Sequence, residues 1–187
     1  MLYAVWKKPV VNPFTDVLDS DYFYDPVMWA VEEGITAGMT PTTFGPEITC
    51  TRAHAVSFLW RMAGEPEPMS SEMPFVDVAS DQYYYKAVQW AVEEGVTAGT
   101  SATTFSPDEN CTRGQIVSFL WRYDGEPEPL METMPFTDVP AGMYYEDPVL
   151  WAAYYGITAG ITPTIFGPED PCTRGQIVSF LYRYMMP

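Results

Sequence analysis

Three stretches of this 187-residue chain repeat one another at a fixed spacing of 61 residues. Phe14, Phe75 and Phe136 open the repeats as Pro-Phe-x-Asp-Val. Trp29, Trp90 and Trp151 follow, then Gly34, Gly95 and Gly156, Gly38, Gly99 and Gly160, and Phe44, Phe105 and Phe166. Each repeat then reads Cys-Thr-Arg, beginning at Cys50, Cys111 and Cys172. A repeat of this length does not bury its own apolar face, so three copies predict one assembly whose core lies between units. The predicted divisions are an extension at 1–12 and units at 13–73, 74–134 and 135–187, forming one structural unit. Function is then expected at positions that recur in every unit, or in grooves between units.

Composition narrows the partners. An apolar content of 47% suits a packed core and not a disordered chain. The formal charge of −16 argues against nucleic acid or an anionic membrane surface, because long-range repulsion opposes both. No apolar run approaches the ~20 residues that span a bilayer, so no membrane insertion is expected. The N-terminal stretch Met1 to Pro9 lacks the apolar core and small-residue cleavage site of a signal peptide. It reads as the start of a mature fragment in preference to a cytoplasmic chain. Three cysteines, one per unit, do not form a disulfide framework. They read as small buried residues ahead of a helix and predict three unpaired thiols, with no metal and no cofactor.

Each unit carries two helix signatures. Asp25-Pro26 supplies an N-cap acceptor and a first-turn proline, Val27 to Glu33 follow, and Gly34 stands where a glycine ends a helix. Unit 3 repeats this from Asp147-Pro148 to Gly156, whereas unit 2 has Lys86-Ala87. The second helix opens with capping boxes, Thr112-x-x-Gln115 and Thr173-x-x-Gln176. In unit 1 the third position is His54, which predicts a weaker box. Ile116, Val117, Leu120 and Tyr123 share one face at helical spacing, and three such helices are candidates for a central bundle. A turn-rich loop joins the two helices, 64–74 and 125–135 read as stiff acidic linkers, and Phe-x-Asp-Val predicts one short strand.

Six of the nine basic residues are arginines at two repeat-equivalent positions. Arg61, Arg122 and Arg183 stand late in the long helix, where a cation complements the dipole. Arg52, Arg113 and Arg174 stand at its start, where the dipole welcomes an anion instead. Backbone N–H groups and a guanidinium there would make a carboxylate site; an ordinary salt bridge to Asp16, Asp77, Asp138 or a linker glutamate is the competing reading. A catalytic reading finds no recurring Ser/His/Asp or Cys/His set, and the lone His54 sits at a helix-cap position. A calcium-dependent module would use the acidic cluster Asp16, Asp19, Asp21 and Asp25, but the other units do not repeat it.

The ordered motifs resemble the S-layer homology (SLH) repeat over residues 14–184. The resemblance rests on Phe-x-Asp-Val, on Trp-Ala-Val-x-x-Gly-Ile-Thr-x-Gly, on a Phe-x-Pro element, and on a final helix of the form Thr-Arg-Ala/Gly-His/Gln followed by Val-Ser-Phe-Leu. It implies a mainly α fold, a pseudo-threefold assembly with a central three-helix bundle, three lobes and at most short β-strands. It also implies a non-enzymatic module, part of a larger exported protein, that anchors non-covalently to a secondary cell wall polysaccharide of a Gram-positive bacterium. Its place would be the cell surface and S-layer. The ligand implied is a pyruvate-ketal amino sugar in inter-repeat grooves, its carboxylate met by Arg52, Arg113 and Arg174 and its hydroxyls by Asp16, Asp77 and Asp138. Tyr22, Tyr83 and Tyr144 replace a tryptophan common in the family, and tyrosine can still stack on a sugar face or donate a hydrogen bond. Lattice or other protein–protein assembly and calcium-dependent binding are the alternative functions.

Overall fold

Side-chain caps set where the long helices begin. In a computed structural model, which describes residues 11–186, these helices are α2 (Arg52–Met62), α4 (Arg113–Tyr123) and α6 (Arg174–Met185). Thr51, Thr112 and Thr173 hold extended backbone, and each hydroxyl accepts the amide three residues on, at 3.3, 3.2 and 3.4 Å. The return bonds run from the Thr112 and Thr173 amides to Gln115 and Gln176 Oε1 at 3.3 and 3.2 Å. In unit 1 the Thr51 amide donates to His54 Nδ1 at 3.3 Å. An imidazole acceptor thus completes the box that the sequence reading expected to be weakened.

The short helices are α1 (Tyr24–Glu32), α3 (Tyr85–Glu93) and α5 (Glu146–Tyr154). Their N-cap residues Phe23, Tyr84 and Tyr145 make no side-chain cap bond. Asp25 lies inside the first turn of α1 and is not its cap, a correction to the sequence expectation. Burial of the aromatic ring fixes the start instead: Phe23, Tyr84 and Tyr145 are all buried. Phe23 lies against Gly175 of α6, and Tyr145 lies so close to Gly114 of α4 that a Cβ there would fall 3.0 Å from the ring.

Those contacts pair each short helix with the long helix of the preceding unit: α3 on α2, α5 on α4, and α1 on α6. The three long helices also touch one another pairwise. Just ahead of them the cysteine backbones close a ring of hydrogen bonds. Cys50 N donates to Cys172 O (2.9 Å), Cys111 N to Cys50 O (2.9 Å), and Cys172 N to Cys111 O (2.8 Å). The core is continuous across units and includes Phe44, Phe105, Phe166, Leu59, Leu120 and Leu181, all fully buried. All three thiols are buried and unpaired. Desolvation pushes Cys50 and Cys111 up to about 12 and Cys172 well above the ordinary thiol value, which leaves no reactive thiolate near neutral pH.

The expected strand at Phe-x-Asp-Val does not form. These residues run through turns, and the extended pairing among described residues consists of isolated bridges such as Thr51 with Asn110 and Thr112 with Pro171. The backbone groups a strand would have used are met by side chains. Asp16 accepts the Phe44 and Gly45 amides, both at 2.8 Å. Asp77 accepts Phe105 (2.9 Å) and Ser106 (2.7 Å), and Asp138 accepts Phe166 (2.9 Å) and Gly167 (2.7 Å). The linkers are largely exposed but tied down: Trp60 and Trp121 donate to the Pro66 and Pro127 carbonyls, each at 2.9 Å. Of the expected N-terminal extension, residues 1–10 lie outside the described residues.

Candidate functional site

The early arginines of the long helices meet the next unit. Arg52 Nε donates to the Phe105 carbonyl at 2.8 Å, Arg113 Nε to Phe166 at 2.8 Å, and Arg174 Nε to Phe44 at 3.1 Å. Each guanidinium stands over that phenylalanine and a second one in the next long helix. For Arg52 the ring centroids of Phe105 and Phe119 are 4.8 and 5.6 Å away. For Arg113 the rings are Phe166 and Phe180 (4.8 and 5.2 Å), and for Arg174 they are Phe44 and Phe58 (4.6 and 5.6 Å). The arginines are only 3%, 4% and 7% exposed, and burial lowers their pKa values from the ordinary one. Even so, a guanidinium stays charged at neutral pH.

Around them lie grooves assembled from all three units. One, of about 380 Å³, is lined by Arg52 of unit 1, by Thr97, Gly99, Thr100, Gln115, Ser118, Phe119 and Arg122 of unit 2, and by Tyr144 of unit 3. Its repeat-equivalent, of about 310 Å³, takes Arg113 from unit 2, Thr158, Gly160, Gln176, Ser179 and Arg183 from unit 3, and Tyr22 from unit 1. The third set gathers in the same way: Arg174 bonds Thr36 and Ala37, and His54 stacks on Tyr83 with centroids 6.1 Å apart. Tyr22, Tyr83 and Tyr144 are each more than half exposed. Desolvation holds their phenols above the ordinary pKa, so they stand as donors.

Two sequence expectations change here. The first-turn amides do not wait for a ligand. Arg52 N donates to Glu109 O and Ala53 N to Pro107 O at 2.9 and 3.0 Å, and the amides of Arg113, Gly114, Arg174 and Gly175 do likewise with loop carbonyls of the following unit. The guanidinium therefore acts without helix N-terminal amides. The Asp carboxylates also lie elsewhere: Asp16, Asp77 and Asp138 line neither measured groove, and both oxygens of each already tie down the Phe loop. For Asp16, partial burial opposes ionisation. The Phe44 and Gly45 amides outweigh it, and the carboxyl ends below its ordinary value.

Sequence reasoning also missed groove residues. Arg122 and Arg183, expected to serve stability alone, line the grooves as well as donating to the Val96 and Ile157 carbonyls at 3.4 and 3.3 Å. Gln115 and Gln176 serve as both cap and wall. Their recurrence in a chain poor in basic residues was the available signal. Among the described residues, no three His, Cys, Asp or Glu side chains converge to hold an ion, and no helix is long and apolar enough to cross a membrane.

Known proteins place the chain. The profile of the S-layer homology domain matches residues 13–56, 74–117 and 135–178. The chain is 29% identical over 169 residues to an endoglucanase of Bacillus sp. (strain KSM-635), covering 88% of this chain and 18% of that protein. It is 33% identical over 110 residues to the surface-layer 125 kDa protein of Lysinibacillus sphaericus, covering 59% and 9% respectively. With an exoglucanase of Acetivibrio thermocellus it shares 26% over 185 residues, 96% of this chain and 16% of that one. The chain thus spans less than a fifth of the length of these relatives. Matched three times over, at the same register in each unit, it belongs to the S-layer homology family.

Proposed function

We propose that this chain is a non-catalytic anchoring module that holds a larger exported protein at the bacterial cell surface. It would do so by binding a carboxylate-bearing secondary cell wall polysaccharide in the grooves between units. The reading takes the units 13–73, 74–134 and 135–187 as one pseudo-threefold assembly, supported by the cyclic pairing of helices and the ring of cysteine hydrogen bonds. Relatives named as glucanases and as a surface-layer protein share this same region, which favours attachment over catalysis.

One observation carries the proposal. Three buried guanidiniums have no carboxylate partner among the described residues; the ion pairs there belong to Arg61, Lys86 and Arg122. Buried charges are normally paired. In a chain of net charge −16, cations kept away from the abundant acids mark a place for an anion brought from outside. The flanking tyrosines offer a flat face and a hydroxyl donor to a sugar ring.

Sedimentation with purified wall sacculi tests this. The chain should cosediment with intact sacculi and not with sacculi stripped of secondary polysaccharide. Equal binding to both would overturn the reading and leave a protein lattice as its successor.

A further inference from the structure

Each groove is edged by a Thr-Ala-Gly turn, and the three turns are not alike. Gly99 and Gly160 adopt φ of +83° and +80°, and their amides donate to Thr97 and Thr158 Oγ1 at 3.2 and 3.1 Å. Gly38 has no such positive φ. There the Ala37 carbonyl faces the groove and accepts from Arg174 Nη2 at 2.8 Å, while Nη2 also reaches Thr36 Oγ1 at 3.3 Å. The same tripeptide thus carries its second peptide turned over. Only glycine takes φ of either sign freely, and a Cβ at Gly38 or Gly99 would lie 2.4–2.5 Å from a backbone oxygen.

The arginines differ accordingly. Arg174 has Nε on the Phe44 carbonyl and Nη2 on Ala37 and Thr36. Arg52 has Nε on Phe105, while its Nη2 is buried without any partner. A buried donor without an acceptor is rare in a folded chain, and this one belongs to a residue that lines the groove. At Arg174 a carbonyl oxygen already stands where a ligand oxygen would bond, and its lone pairs repel a carboxylate.

We infer that the chain has two carboxylate-accepting grooves, at Arg52 and Arg113, and that the Ala37–Gly38 peptide acts as a latch holding the Arg174 groove shut. This rests on the carboxylate-binding reading above and adds which grooves serve it. Neighbouring residues mark the same division: the latched groove has His54 where the open ones have Gln115 and Gln176.

The test is calorimetric titration of the intact chain with a synthetic pyruvate-ketal amino-sugar monosaccharide. Two sites per chain are expected. Arg52→Lys and Arg113→Lys should each weaken one site by about tenfold or more, since lysine cannot reproduce the two-nitrogen contact, while Arg174→Lys should leave both intact. Nitrogen-detected NMR of the arginine Nε–H groups in the unaltered chain gives a readout independent of variant folding. Arg52 and Arg113 should shift on titration and Arg174 should not. Three sites, one site, or a shift at Arg174 would overturn the latch and leave the carboxylate reading standing. No binding of this probe at all would overturn both.

Discussion

Replacing Asp77 by asparagine separates two roles that a recurring aspartate could have. The carboxylate accepts the Phe105 amide on one oxygen and the Ser106 amide on the other, at 2.9 and 2.7 Å. Asparagine keeps the shape but offers one acceptor, and its NH₂ then faces an amide N–H. Losing one charge-assisted hydrogen bond and stranding a donor costs about 1.5–3 kcal/mol. For a chain of this size each kcal/mol moves the melting temperature by roughly 2–4 °C, so a fall of about 3–12 °C is expected. The loop also carries the Phe105 carbonyl and ring that hold Arg52, so binding should weaken as a consequence of the loosened loop. Urea unfolding followed by tryptophan fluorescence measures the stability, with the slope expected unchanged. A cost below about 0.5 kcal/mol together with loss of wall binding would refute the reasoning, because the aspartate would then be acting on the sugar directly.

Three further outcomes are expected. Thiol titration should find three reactive cysteines per chain in denaturant and almost none in the folded protein at pH 8, where burial keeps the thiols protonated; fast reaction in the folded state would contradict the packing. Burial, and then the Arg174 and Arg61 charges, lower the His54 pKa, so between that value and the ordinary 6.5 the unfolded chain binds more protons. Stability is therefore lost as pH falls below about 6.5, and His54→Gln, which copies the other units, should flatten the denaturation midpoint across that window. Ser106 holds φ of +58° where the other units have Gly45 and Gly167. Ser106→Gly should raise stability by about 0.5–1 kcal/mol on relief of that conformation, less the exposed bond to Thr100, and a loss in urea unfolding would show that the bond dominates.

The 61-residue register, the Thr caps and the buried cysteines were legible in the sequence because each depends on neighbours a few residues away or on apolar pattern. The early arginines were legible because only six arginines exist and they recur. What was not legible depends on chain that arrives from another unit. The first-turn amides looked open, yet Arg52 N finds the Glu109 carbonyl, 57 residues along. Asp77 looked available for a ligand until Phe105 came to rest on it. Asp25 had the right type for a cap, but Phe23 started the helix by burying its ring against α6. Alanine at the early arginine positions would open a hole at each unit junction, so the lysine variants are the better probe of charge recognition.

The contact between α1 and α6 makes the first element of the chain a partner of the last. During synthesis α3 can find α2 as soon as it emerges, because the two are sequence neighbours. By contrast, Phe23, Val27 and Ala30 must stay without their partner until Arg174–Met185 has been made, some 150 residues later. At ordinary elongation speeds that is on the order of ten seconds of exposed apolar surface. A nascent chain of this design needs shelter for its beginning and completes itself only at its end. Three is then the number of units at which the chain can stop, since a fourth would find no open edge to join.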